Sequence, residues 1–92
     1  MRIEFPAGQR EWNGGELTVD FAAKVDGAPV VCSISVEALQ DHFGAASTLE
    51  EDVLTAFDSS AKRIHSLCRR ALEGTDGDAV VLRSGLIRLL EA

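Results

Sequence analysis

An α+β fold, with an antiparallel sheet covered on one face by helices, is predicted by three features of this sequence. Residues 16–25 alternate polar and apolar throughout, and after Asp26-Gly27 a second β-branched run extends from Val30 to Ile34. The two runs read as a hairpin. From Ser47 or Thr48 to Gly74, apolar residues recur close to every 3.6 positions, the period of a helix with one buried stripe. Strand-like segments come mostly first and helical ones after them, an order that segregates helices to one face of an antiparallel sheet. The expected order is β-β-β-α-α-β with a short C-terminal helix, and two helices, one of them long, lie on the same face.

Residues 2–5, Arg-Ile-Glu-Phe, alternate as a short strand with Ile3 and Phe5 inward, and Pro6 ends it. Ala7 to Gly15 reads as a polar loop that holds the only Trp, Trp12, and closes on the turn signal Gly14-Gly15. In the long strand, Leu17, Val19, Phe21, Ala23 and Val25 belong to the buried face, and Glu16, Thr18, Asp20, Ala22 and Lys24 to the wet one. A loop of about four residues is expected before Val30. Val30, Cys32 and Ile34 then share one face, and Val31 and Ser33 take the other.

Ser35 can cap a helix through Val36 to Phe43, with Leu39 and Phe43 on one side and Gly44 at the left-handed position after it. In the long helix, Glu50, Glu51 and Asp52 oppose the positive end of the macrodipole. Its ladder is Val53, Phe57, Ala61, Ile64, Cys68, Ala71 and Leu72, with Leu54 and Leu67 off the stripe, and Gly74 stops it. Some 25 helical residues span roughly 37 Å, longer than a typical strand. The helix therefore overhangs the sheet, or bends or breaks near Asp58-Ser59-Ser60. Gly74 to Asp78 is a turn, Ala79 to Leu82 a buried strand, and Leu86 to Leu90 reads better as a helical turn than as a strand.

The bulk numbers set limits on function. At 92 residues and 9.9 kDa, residues 1–92 are expected to form one globular domain. Hydrophobic residues at 46% and charged ones at 26% are ordinary for such a domain. The net charge of −6 weighs against a nucleic-acid or anionic-membrane binder, whose affinity comes from clustered Lys and Arg. No segment approaches the ~20 apolar residues of a membrane span. Met1-Arg2-Ile3-Glu4-Phe5-Pro6 does not read as a secretory leader, so the expected compartment is the cytoplasm, with Cys32 and Cys68 as free thiols.

The chemistry-bearing residues do not form a catalytic pattern. Cys32, His42, His65 and Cys68 are the one combination with zinc-ligand chemistry, and His65 and Cys68 have acceptable i, i+3 spacing. Yet Cys32 has no second ligand close by, and both cysteines fall on core faces, where a thiol packs as a small hydrophobe. Ser59, Ser60, Ser66 and Ser84 show no nucleophile-elbow motif. Glu50-Glu51-Asp52 is explained by helix capping, and Asp76 and Asp78 by a turn without calcium-loop spacing. Lys62, Arg63, Arg69 and Arg70 should line the wet side of the long helix, without the aromatic platform that accompanies nucleic-acid binding. No catalytic, cofactor or metal residue is assigned, and no cofactor is expected.

The run Ile3-Glu4-Phe5-Pro6, Trp12, the long strand, Gly27, Val30-Val31-Cys32-Ser33-Ile34-Ser35, Leu39, Phe43-Gly44 and a helix carrying Phe57 and Ile64 resembles a family of small bacterial proteins known as domain of unknown function 1488. The most specific piece is Cys32-Ser33-Ile34-Ser35 leading into the helix with Leu39 and Phe43. The resemblance implies a compact α+β bacterial cytoplasmic protein and carries no catalytic residues with it. The tail from Leu86 to Ala92 is longer and more apolar than that pattern.

Surplus apolar surface, at Val31, Ala22 and parts of Leu86 to Leu90, makes the expected role a non-enzymatic interaction or regulatory module. The expected partner is a second copy or another protein, with no nucleic acid and no membrane. The competing expectation is a small-ligand or metal-binding domain using the loop around Trp12 or the Cys32/Cys68 region.

Overall fold

Strands β3 (Thr18–Val25) and β4 (Ala28–Ser35) form the spine of the sheet and are joined by a two-residue turn. Val25 pairs with Ala28, so only Asp26 and Gly27 lie between the strands. Both have positive φ, 52° and 85°, the backbone of a type I′ turn, which Asp-Gly adopts readily. The connection is thus shorter than the four residues expected, and Pro29 lies inside β4 opposite Lys24. The computed structural model describes residues 1–7 and 9–92.

Two short strands share the outer edge of β3. β1 (Ile3–Glu4) pairs with its end at Val25 and Lys24, and β2 (Arg10–Asn13) with its start from Phe21 to Thr18, both antiparallel. β2 corrects the reading of residues 7–15 as loop. Arg10-Glu11-Trp12-Asn13 lacks the β-branched residues that mark strands, and its ladder hydrogen bonds to β3 supply what local propensity does not. The turn between β2 and β3 follows Gly14-Gly15, with Asn13 Oδ1 accepting from the Glu16 N–H at 3.1 Å. Leu17, expected inside, is 56% exposed because its φ of 54° rotates the side chain out of the strand pattern.

After β4 the chain enters α1 (Val36–His42), α2 (Glu50–Ser59) and α3 (Ala61–Gly74), returns as β5 (Val81–Leu82), and ends in α4 (Ser84–Leu90). Ser35 caps α1, its Oγ accepting from the Ala38 N–H at 3.1 Å. Gly44 takes the left-handed position, φ 73°, after α1. α2 starts without a side-chain cap; Ser47 instead accepts the Leu49 N–H and donates to Asp52. The expected long helix is broken at Ser60, whose N–H is shared between the Ala56 and Phe57 carbonyls. Asp58-Ser59-Ser60 contains weak helix formers that favour turns, and Arg10 clamps this corner through both Asp58 carboxylate oxygens at 3.0 and 2.9 Å. At the far end, α3 is closed by Gly77, φ 91°, whose N–H reaches the Leu72 carbonyl, rather than by Gly74.

The sheet is mixed, not wholly antiparallel: β5 runs parallel to β4, pairing Ser33 with Val81 and Ile34 with Leu82. Parallel neighbours need a long crossover, and α1 through α3 supply it. One core lies between sheet and helices. Ile3, Val19, Phe21, Ala23, Cys32, Ile34 and Leu82 face Leu39, Val53, Phe57, Ile64, Cys68 and Leu72. Leu67, expected off the stripe, is buried too, and Ile87 of α4 is fully buried. The break at Ser60 lets α2 and α3 turn different stripes inward.

Phe57 meets Phe21 at a ring-centroid distance of 5.5 Å and is almost fully buried. Replacing it with Ala should cost about 3–5 kcal/mol in urea unfolding. A loss below about 1 kcal/mol would remove Phe57 from the core.

Candidate functional site

Because strand side chains alternate, burying Val19, Phe21 and Ala23 sends Asp20, Ala22 and Lys24 to the opposite face. The cross-strand register adds Glu11 and Asn13 from β2, Val31 and Ser33 from β4, and Val81 from β5. Val31 is 65% and Val81 43% exposed, and the helices pack on the other side.

Asp20 organises this open face. Its Oδ1 accepts from Thr18 Oγ1 at 2.8 Å and Ser33 Oγ at 2.7 Å, and its Oδ2 from Asn13 Nδ2 at 3.0 Å. Three strands are thereby tied together through one carboxylate. Partial burial pushes the Asp20 carboxyl up, but the hydrogen bonds from Ser33, Thr18 and Asn13 together outweigh it and hold it below the ordinary value. Thr18, expected on the wet face, is buried in this network. Directly across from Asp20 stands Glu11, and like charges at such a position repel. A shallow cleft of about 230 Å³ opens here, lined by Gln9, Arg10, Glu11, Asp20, Phe21, Ala22 and Val31. Lys24, on the same face, makes no ion pair among the described residues. Asp20 was not singled out in the sequence; its signal was a carboxylate in the middle of a strand, where Asp is depleted.

The structure separates the four residues with zinc-ligand chemistry. Cys32 and Cys68 meet between β4 and α3, both free and 0% exposed. The Cys68 thiol donates to Cys32, and that bond together with burial pushes Cys68 up. Cys32 accepts this bond and one from the Val80 N–H, which draw it down to about 7 against the cost of burial. Neither sulfur faces solvent, as a nucleophile must. His65 lies instead at the surface, stacked on Phe5 at 4.4 Å with the rings 4° apart. His42 ends α1, its Nε2 buried without a partner among the described residues. No group of three or more His, Cys, Asp or Glu side chains is placed to hold a metal ion among the described residues. Trp12 lines none of three clefts found among the described residues.

The basic stripe of α3 is largely occupied with holding the chain ends. Arg63 pairs with Glu91 at 2.7 Å, donates to the His42 carbonyl and lies over the Phe43 ring. Arg70 donates to the Leu90 carbonyl, and Arg69 to the Ile3 carbonyl at 2.8 Å. Ser84, weighed as a nucleophile, donates to Asp41 at 2.8 Å. Among the described residues no helix is long and apolar enough to cross a membrane.

Comparison with known proteins gives a family but no chemistry. The family model described as "Protein of unknown function (DUF1488)" matches residues 3–82 and so stops before α4. A crystal structure of a DUF1488 protein of unknown function from Shewanella loihica PV-4 superposes with a TM-score of 0.75. It covers 90% of this chain and 97% of that one at 21% identity, a likeness of fold. No curated protein matches the chain.

His65 generates a pH prediction. Burial, and then the nearby Arg69 charge, hold its imidazole below the ordinary 6.5. A folded pKa below the unfolded one means that this contribution to stability is complete above about 6.5 and declines as pH falls below it. His65→Phe keeps a ring against Phe5 and should lose less of its urea midpoint than the wild type between about pH 7.5 and 5. Parallel pH profiles for the two proteins would show that His65 titrates alike in both states.

Proposed function

The chain belongs to the DUF1488 family of proteins of unknown function, and from that premise, which carries no activity with it, we propose that it is a non-enzymatic protein-interaction module acting through the open face of its sheet. One observation carries the reading. Val31 stands 65% exposed in the middle of an uncovered sheet, beside a cleft with an apolar floor and two carboxylates on its wall. Both cysteines and Ser84 support it, because they are occupied elsewhere: the cysteines with each other in the core and Ser84 with Asp41. A cytoplasmic setting is part of the same reading.

A photo-reactive residue placed at Val31 should give a discrete protein adduct in living cells, and one at exposed Glu73 on α3 should not. Equal labelling from both positions, or none from either, would overturn the assignment of this face.

A second reading, binding of a small anion, is favoured by the surroundings of His65. Its ring nitrogens have no hydrogen-bond partner among the described residues, and clefts of about 430 and 340 Å³ lie on either side of it. Lys62, Ser66 and Arg69 line the second. Inorganic phosphate should then shift the His65 ring protons saturably in NMR, an effect lost in Lys62→Gln. A linear, non-saturating shift would eliminate this reading.

A further inference from the structure

The geometry points to a second copy of this chain as the occupant of the open sheet face, packed about a two-fold axis that crosses the strands over the Ala22–Val31 pair and sets Lys24 of each copy against the Glu11–Asp20 carboxylates of the other. This rests on the preceding reading of the face and names its partner.

The register makes the surface self-complementary. Ala22 lies directly opposite Val31, Lys24 is two residues to one side of Ala22 on β3, and Asp20 is two residues to the other. Successive residues on one strand face are roughly 6.8 Å apart, twice the rise per residue. A two-fold rotation about the Ala22–Val31 line reverses the strand direction and keeps β3 over β3 and β4 over β4. Val31 then meets Val31, and Lys24 comes over Asp20 of the other copy with Glu11 beside it. A twist of roughly 30° between packed sheets shifts these positions within the reach of a lysine side chain.

Three local features that the isolated chain leaves unresolved are resolved together. The like-charge pair Glu11 and Asp20 gains a cation between its carboxylates. Lys24, which has no ion pair among the described residues, gains two acceptors. Exposed Val31 is covered. Asp20 is held below the ordinary carboxylate range and so stays charged at neutral pH. The same operation brings Glu4 near Glu11 of the other copy, and Arg2, already paired with Glu4 at 2.7 Å, offsets that approach.

The size of the face sets the affinity range. Four strands abreast at ~4.8 Å and eight residues at ~3.4 Å give a plane of roughly 500 Å², below the ~800 Å² per partner of a standard stable complex. A weak, reversible dimer is expected, loosened by salt because opposite charges meet across it.

Sedimentation velocity across the micromolar range tests the proposal. The wild type should pass reversibly from monomer to dimer. Val31→Asp, at an exposed position, should remain folded and monomeric. Lys24→Glu should raise the dissociation constant about tenfold or more, the effect of some 1.4 kcal/mol, and adding Glu11→Lys to it should recover part of the loss. A wild type that stays monomeric throughout, or a dimer indifferent to both Val31→Asp and Lys24→Glu, would overturn the second copy as occupant. If the wild type is monomeric while the probe at Val31 still captures a different protein in cells, the interaction face stands and only the identity of its partner falls.

Discussion

Register between β3 and β4 is the constraint from which the rest of the molecule follows. Side chains on a strand alternate with a period of two, so a slip of one residue would exchange the two faces of the sheet. The Asp26-Gly27 turn prevents the slip, because its left-handed backbone matches the twist of the strands and leaves no spare residue. Arg2 reinforces it from the neighbouring edge: its carbonyl accepts the Asp26 N–H at 2.7 Å and its N–H donates to the Asp26 carboxylate at 2.8 Å. With the register set, Phe21 and Cys32 go inward together, and Asp20 and Ser33 go outward together.

The core that forms against this sheet is mainly aliphatic, with an aromatic group at one edge and Phe43 at another. Phe21 and Phe57 are buried, and Phe5 and His65 extend the group to the surface, where Arg69 lies over Phe5. A short β1 could not hold the N-terminal segment by its ladder bonds alone. Phe5 stacked on α3, with the Arg69 hydrogen bond to Ile3, does so instead. Arg63 and Arg70 perform the matching task for α4 at the other end of the chain. The cations expected to line the wet side of the long helix are therefore mostly clamps between α3 and the termini.

The open face is a direct consequence of topology. A mixed sheet whose crossover helices all lie on one side leaves its other side bare, and that side must be polar or find a partner. Here it is both. The Asp20 network satisfies the β2 half, and Ala22, Val31 and Val81 remain as an apolar strip beside it. The functional reading follows from this division. The thiols lie in the core, one imidazole is on α3 and the other at the end of α1, while Glu11 and Asp20 share the cleft on the open face.

Short-range patterns settled much of the structure before any fold was known. The alternation of residues 18–25, the Asp-Gly turn, the Ser35 cap, the Leu39 and Phe43 pair, the weak point at Asp58-Ser59-Ser60 and the helical tail all rest on contacts within a few residues, so they are legible in the chain itself. Four features are not. β2 is a strand because β3 offers it a ladder, not because Arg10-Glu11-Trp12-Asn13 prefers one. Leu17 points outward because a turn captures its backbone. β5 is parallel because a three-helix crossover brings it back in the direction of β4. Glu11 faces Asp20, and Lys24 stands apart from both, because the register of β2 on β3 places them so. Local chemistry determined which segments other than β2 became strands and helices and which side of each was apolar. Only the tertiary structure decided which charges became neighbours and which face stayed uncovered, because those depend on pairings between residues far apart in sequence, whose closure the pattern of a single segment does not encode.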